Sequence, residues 1–93
     1  MTDATARRLR MRAWRRGTKE MDLILGPYAD AHLDQMDAEA LARLEALMEE
    51  NDQDLYQWVS GARPAPEAHS ALIAEISSHA RDRLAGARDA RSI

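Results

Sequence analysis

Glycine and proline divide the apolar pattern of this chain into short helical stretches, and that punctuation restricts the fold more than any other feature. Apolar residues recur every three or four positions, the period of one helix face. The first stretch predicts a helix from about Asp3 or Ala4 to Arg15 or Arg16, with Leu9, Ala13, Met11 and Trp14 as its apolar contacts. Asp3 can cap its start, and Gly17 falls where a helix commonly stops with positive φ. Thr18 reads as the N-cap of a second helix carrying Met21, Ile24, Leu25 and Tyr28. Gly26-Pro27 interrupts that stretch. Pro27 cannot donate to the Leu23 carbonyl, so a kink or a short break is expected there. The spacing then resumes with His32, Leu33 and Met36, which argues for one kinked helix over two separate ones.

Asp37 is a strong N-cap for a third helix ending near Glu50, with Leu41, Leu44, Leu47 and Met48 on one face. Asn51 or Asp52 caps a short fourth helix that buries Leu55, Trp58 and Val59 and stops at Gly61. Arg63-Pro64-Ala65-Pro66 is the one Pro-rich linker, and Pro66 suits the first position of a fifth helix. Leu72, Ile73, Ile76, Ala80 and Leu84 form its stripe. Gly86 is expected to end it, leaving residues 87–93 frayed. The predicted fold is all-α: a compact bundle of five short helices forming a single domain over 1–93, with its core at about 4–85. Good helix formers dominate and strand formers are scarce, which agrees.

Size narrows the functions open to the chain. A protein of 93 residues buries only about 60–65% of its unfolded surface. A deep, water-excluded active site is hard to build at that size, so a binding module or accessory subunit is favoured over an enzyme. There is no cysteine, hence neither a disulfide framework nor a thiolate metal site. No apolar run approaches the roughly 20 residues of a membrane span. The Arg-rich start resembles that of a mitochondrial transit peptide, but helix signals begin so early that no room for a removable leader is expected.

Charge is uneven. Residues 1–20 hold seven basic and two acidic residues, residues 21–80 two basic and twelve acidic, and residues 81–93 four basic and two acidic. A basic head on an acidic body could steer a partner of mixed charge, although from charge alone solvated helix faces are the favoured explanation. A nucleic-acid-binding module using the first helix and the Arg-rich tail is the alternative from another class. The acidic body, a pI near 5.5 and the lack of a basic recognition helix weigh against it. A purely structural small subunit is a third reading.

Little in the chain suggests chemistry of its own. His32, His69 and His79 share no metal-ligand spacing and read as partly exposed helix residues. The four glycines are scattered, each explained by a helix end or kink, so no phosphate-binding loop forms. Glu49, Glu50, Asp52 and Asp54 surround a helix junction, where capping and solubility account for them better than acid–base work. No catalytic residue, metal or cofactor is assigned.

The most unusual segment is Arg15-Arg-Gly-Thr-Lys-Glu20. It sets two guanidinium groups, a permissive backbone point and a carboxylate within one turn between helices. The plain reading is a charged, solvated corner. The functional reading is a recognition corner, where glycine admits a close approach and Arg16 and Glu20 offer directional bonds.

The run Arg12-Ala-Trp-Arg-Arg-Gly-Thr-Lys-Glu-Met-Asp-Leu-Ile-Leu25 resembles the opening signature of the SdhE family, whose hallmark Arg-Gly-x-x-Glu is matched by Arg16, Gly17 and Glu20. Glu50-Asn-Asp-Gln-Asp-Leu-Tyr-Gln-Trp58 resembles that family's acidic turn followed by Asp-Leu-aromatic-x-Trp, and Gly26-Pro-Tyr28 also fits. The order of blocks agrees from about Leu9 to Leu84, and the tail after Arg83 diverges. The resemblance implies a five-helix assembly factor that binds the flavoprotein subunit of succinate dehydrogenase, and in bacteria often fumarate reductase. It implies promotion of the covalent bond between a histidine of that subunit and its FAD, with no cofactor held by the factor itself. Arg16, Gly17 and Glu20, with neighbouring Arg15, would lie at the interface. Asp52, Asp54 and Trp58 are weaker candidates, Trp58 being as well suited to the core. The implied setting is the bacterial cytoplasm, or the mitochondrial matrix in a eukaryote, with the factor monomeric when alone and no nucleic-acid or membrane partner.

Overall fold

A computed structural model describes the backbone of residues 3–92 and the side chains of residues 4–83. Among the described residues the chain forms five α-helices and one 3-10 turn, with no strand. The helices are α1 (Asp3–Trp14), α2 (Lys19–His32), α3 (Ala38–Met48), α4 (Asp52–Ser60) and α5 (Glu67–Ser92), and the 3-10 turn spans Leu33–Gln35.

Local chemistry explains most of these boundaries. The side chains of Thr18, Asp37 and Asn51 accept from the amides of Met21, Ala40 and Asp54, each satisfying a donor that has no partner inside its helix. Asn51, not Asp52, therefore caps α4. Gly61 closes α4 at φ 84°, in the left-handed region that a side chain disfavours. α1 ends at Trp14, one or two residues earlier than predicted, because the Arg16 amide turns away to donate to Asp22 Oδ1. Pro66 stands just ahead of α5, its carbonyl accepting from the His69 amide. The capping role foreseen for Asp3 and the packing foreseen for Leu84 concern side chains outside the described residues.

Two glycines behave differently from the prediction. α5 does not stop at Gly86 but runs helically to Ser92. Glycine keeps its amide donor and disfavours a helix interior by only about 1 kcal/mol against alanine, too little to break the ladder by itself. Gly26 lies inside α2, and its task is packing: the Trp14 indole covers it so closely that a Cβ would collide with the ring. The indole Nε1 donates to Asp30 Oδ2 at 3.2 Å, which fixes the ring over α2.

α2 continues through Pro27 as one helix. The Leu23 carbonyl, which proline leaves without its helical donor, accepts from the Arg83 guanidinium of α5 at 3.3 Å. The core gathers Leu9 and Ala13 of α1, Met21, Leu25, Tyr28 and Ala29 of α2, Leu33, the α3 face, Leu55, and Ile73 and Ile76 of α5. Each fully buried Leu or Ile here contributes about 1.5–3 kcal/mol relative to exposure. All five helices contribute to this one core, but Met11 and Trp14, expected among the apolar contacts of α1, are exposed.

Candidate functional site

The segment between α1 and α2 meets the segment between α3 and α4, and Arg16 joins them. Its Nε donates to Asp52 Oδ1 at 2.8 Å, Nη1 to the Met48 carbonyl at 2.7 Å and Nη2 to the Glu50 carbonyl at 2.9 Å. The Arg16 side chain is only 10% exposed and Asp52 only 14%. The expectation of a solvated Arg16 is therefore corrected: each of its three guanidinium nitrogens donates inside the chain. Asp52 is its counterion rather than a cap.

Gly17 follows with φ 108°. This lies well beyond the left-handed helical well near 57°, so asparagine is a poorer substitute than a merely positive φ suggests. A Cβ there would meet only Asp52 Oδ2, at 3.8 Å. The space in front of Gly17 is otherwise open, and the residue is exposed. Glu20, also exposed, sits in the first turn of α2, where a carboxylate suits the helix dipole.

Glu20, Thr18, Asp52 and Asp54 line one open groove of about 600 Å³, completed by Gln53, Tyr56, Gln57 and Arg63. Tyr56, 44% exposed, lines this groove. The structure thus brings Glu20, Asp52 and Asp54 together, with Gly17 beside them. Arg15 points elsewhere, onto a shallow surface shared with Arg8, Met11, Arg12 and Arg16. Trp58 does not line the groove. It packs against the core and stacks on His69 at 6.0 Å between ring centroids.

Sequence reasoning missed Gln53, Tyr56, Gln57 and Arg63. The first three were findable: if Leu55, Trp58 and Val59 face inward, positions 53, 56 and 57 must face out. The acidic residues near the junction are also more engaged than expected. Glu49 pairs with Arg12 at 2.7 Å, and Glu50 Oε2 lies 3.1 Å from His69 Nε2. With Arg8–Glu45 at 2.6 Å, the Arg12–Glu49 pair forms a ladder that sets the basic face of α1 against α3 and its C-terminal end, while Glu50–His69 ties the junction to α5.

Among the described residues no three His, Asp or Glu side chains come together as a metal-binding group. No described helix is long and apolar enough to cross a membrane. The arrangement defines a small all-α protein whose distinctive surface is a charged helix corner opening onto a polar groove. A family model described as "Flavinator of succinate dehydrogenase" matches residues 7–80, and the chain belongs to that family, Sdh5. The chain is 42% identical over 64 residues to the "FAD assembly factor SdhE" of Acetobacter pasteurianus, covering 69% of this chain and 59% of that protein. It is 35% identical over 81 residues to the mitochondrial "Succinate dehydrogenase assembly factor 2" of Schizosaccharomyces pombe, covering 85% and 58% respectively. An SdhE of Photobacterium profundum is similar at 32% over 73 residues, covering 77% and 83%. The matched region thus spans less than two thirds of the length of the first two relatives.

Proposed function

We propose that this chain is an assembly factor that binds the flavoprotein subunit of succinate dehydrogenase and promotes covalent attachment of FAD to a histidine of that subunit. Fumarate reductase is a second client of the same chemistry. The observation that carries the reading is the build of the corner. Arg16, Gly17 and Glu20 carry the family motif, and they combine an internal anchor, an open backbone point and an exposed carboxylate beside a groove.

The chain acts without turnover and without a cofactor of its own. Bond formation is the chemistry of the flavin and its protein. The factor holds the flavoprotein so that histidine and flavin carbon meet in a reactive geometry, which is where proximity lowers a barrier most. Gly17 admits the partner's surface, Glu20 and Asp54 supply acceptors, and Arg16 acts one step back by fixing the junction. The proposed setting is the bacterial cytoplasm, or the mitochondrial matrix in a eukaryote. A nucleic-acid reading loses ground, since Arg8, Arg12 and Arg16 of the basic head are engaged with Glu45, Glu49 and Asp52.

Gly17→Arg tests the assignment, with covalent flavin measured in the co-expressed flavoprotein and melting measured on the factor alone. The variant is expected to stay helical, to lose a few degrees of melting temperature through the strained φ, and to leave the partner without covalent FAD. Glu20→Ala is expected to fail in the same assay while melting like the parent. Full flavinylation by a folded Gly17→Arg protein would remove the corner from the interface.

A further inference from the structure

We propose that Tyr28, His32 and His79 form a proton-operated latch that holds α5 on α2, closed while the His79 imidazole is neutral and loosened when that ring acquires a proton. The three rings are mutually packed. Tyr28 and His32 stand 4.5 Å apart between centroids, Tyr28 and His79 5.7 Å, and His32 and His79 5.4 Å, the last two contacts edge to face. His32 lies at the end of α2 and His79 in the middle of α5, so each ring contact to His79 joins the two helices.

Among the described residues Glu75 and Asp82 are the carboxylates beside the two imidazoles, and neither hydrogen-bonds to His79. His79 Nδ1 is buried without a hydrogen-bond partner. An added proton there would be a buried donor with nowhere to bond. The Glu75 carboxylate, one turn earlier on α5, accepts from the Tyr28 hydroxyl at 3.0 Å. The tyrosine's burial, and then that bond and the Glu75 charge, push the Tyr28 phenol well above its usual range. Asp82 is the one other carboxylate in the small cavity shared by His32, Glu75, Ser78 and His79. Arg83 stands on the other side of the balance, its positive charge beside His79 and its guanidinium donating to the Leu23 carbonyl of α2. From the segment entering α3, Gln35 and Asp37 flank Tyr28 and His32, and Asp37 is occupied as the α3 cap. From α3 itself, Arg43 lines a groove with Glu75 and pairs with Glu39.

Burial holds the His79 imidazole below its ordinary range. His32 and Arg83 press in the same direction, and Asp82 opposes them. The sign of the effect follows. Folding disfavours the protonated ring, so the unfolded chain binds more protons once pH drops to about 6.5, the value for a free histidine. The latch contributes fully above that pH and is progressively lost below it. His69 differs in kind, because its Nε2 lies 3.1 Å from the Glu50 carboxylate.

Thermal melting of the full chain at about pH 7.5 and pH 5.5 tests the proposal, a window that brackets histidine and lies above the free carboxylates. The parent is expected to melt several degrees lower at the acidic pH. His79→Gln, which keeps a polar side chain without a titrating charge, is expected to lose most of that difference, while His69→Gln retains it. Proton NMR of the parent supplies an arm that needs no variant to fold. The His79 ring should titrate below a histidine in a disordered peptide, and α5 amides should lose exchange protection at the acidic pH relative to α3 after correction for intrinsic rates. A parent equally stable at both pH values would overturn the proposal. So would a slope unchanged in His79→Gln, or a His79 ring titrating at or above the peptide value.

Discussion

Replacing Arg16 by alanine removes three hydrogen bonds from a guanidinium that is nine-tenths shielded, and the cost can be worked from its partners. Breaking a buried ion pair by deleting one member typically destabilises by about 3–5 kcal/mol, because the other charge is left without compensation. Asp52 keeps some solvent access at 14%, so the lower end of that range applies to the pair. The Met48 and Glu50 carbonyls lose their donors too, although water can reach an opened junction and recover part of that loss. A net destabilisation of about 3 kcal/mol is expected, which for a domain near 100 residues lowers the melting temperature by roughly 12–24 °C. Arg16→Lys keeps the charge but not the fork, since an ammonium cannot address Asp52 and two carbonyls in one plane. It is expected to fall between alanine and the parent, at about 1.5 kcal/mol. Denaturant unfolding with equal slopes for the three proteins is the assay. Arg16→Ala within about 0.5 kcal/mol of the parent, the range of ordinary surface substitutions, would refute the reasoning. The result also bears on function: loss of flavinylation in Arg16→Ala should accompany loss of stability, whereas in Glu20→Ala the two should separate.

Two further outcomes follow from packing and charge. Gly26→Ala, a change that favours most helices by about 1 kcal/mol, is expected here to destabilise by about 1–3 kcal/mol through overpacking against Trp14. In a Trp14→Ala background the same change should turn neutral or stabilising, as a double-mutant cycle by denaturant unfolding would read. The Arg8–Glu45 and Arg12–Glu49 pairs are exposed, so each is worth at most about 1 kcal/mol. Raising salt from low to near-molar concentration should weaken α1 protection in hydrogen exchange more than that of α3, and a uniform response would contradict the ladder.

Helix starts and stops were open to sequence reading because capping is local. Thr18, Asp37 and Gly61 act on amides and carbonyls within a turn of themselves, and their chemistry decides the boundary wherever the rest of the chain goes. The apolar stripes were readable for the same reason. Contacts that join distant segments were not. Arg16 and Asp52 lie 36 residues apart, and nothing near Arg16 in the chain announces that its fork will be consumed. Gly26 looked like part of a kink because its neighbour is proline, yet its constraint comes from Trp14 on another helix. Gly86 looked like a stop because glycine often is one, but no left-handed turn follows it. The site itself was half legible. Motif order pointed to Gly17 and Glu20 at one corner, whereas the groove beside them arises only when α4 packs against the start of α2. Trp58 resembled part of the motif block and resides against the core.

The Arg16 anchor has a consequence for how docking divides between enthalpy and entropy. Loops that recognise a partner commonly lose freedom on binding, at about 0.5–1.5 kcal/mol for each immobilised long side chain. Here the two junctions are stitched together before any partner arrives, so that freedom has already been lost in folding. In the proposed complex the groove and the Gly17 edge meet the flavoprotein as one preformed surface. Binding should therefore show a heat-capacity change set by the buried apolar area alone, without the larger signature of a segment folding on contact. A variant that loosens the anchor would shift that ordering to the binding step and weaken affinity without removing a single residue that touches the partner.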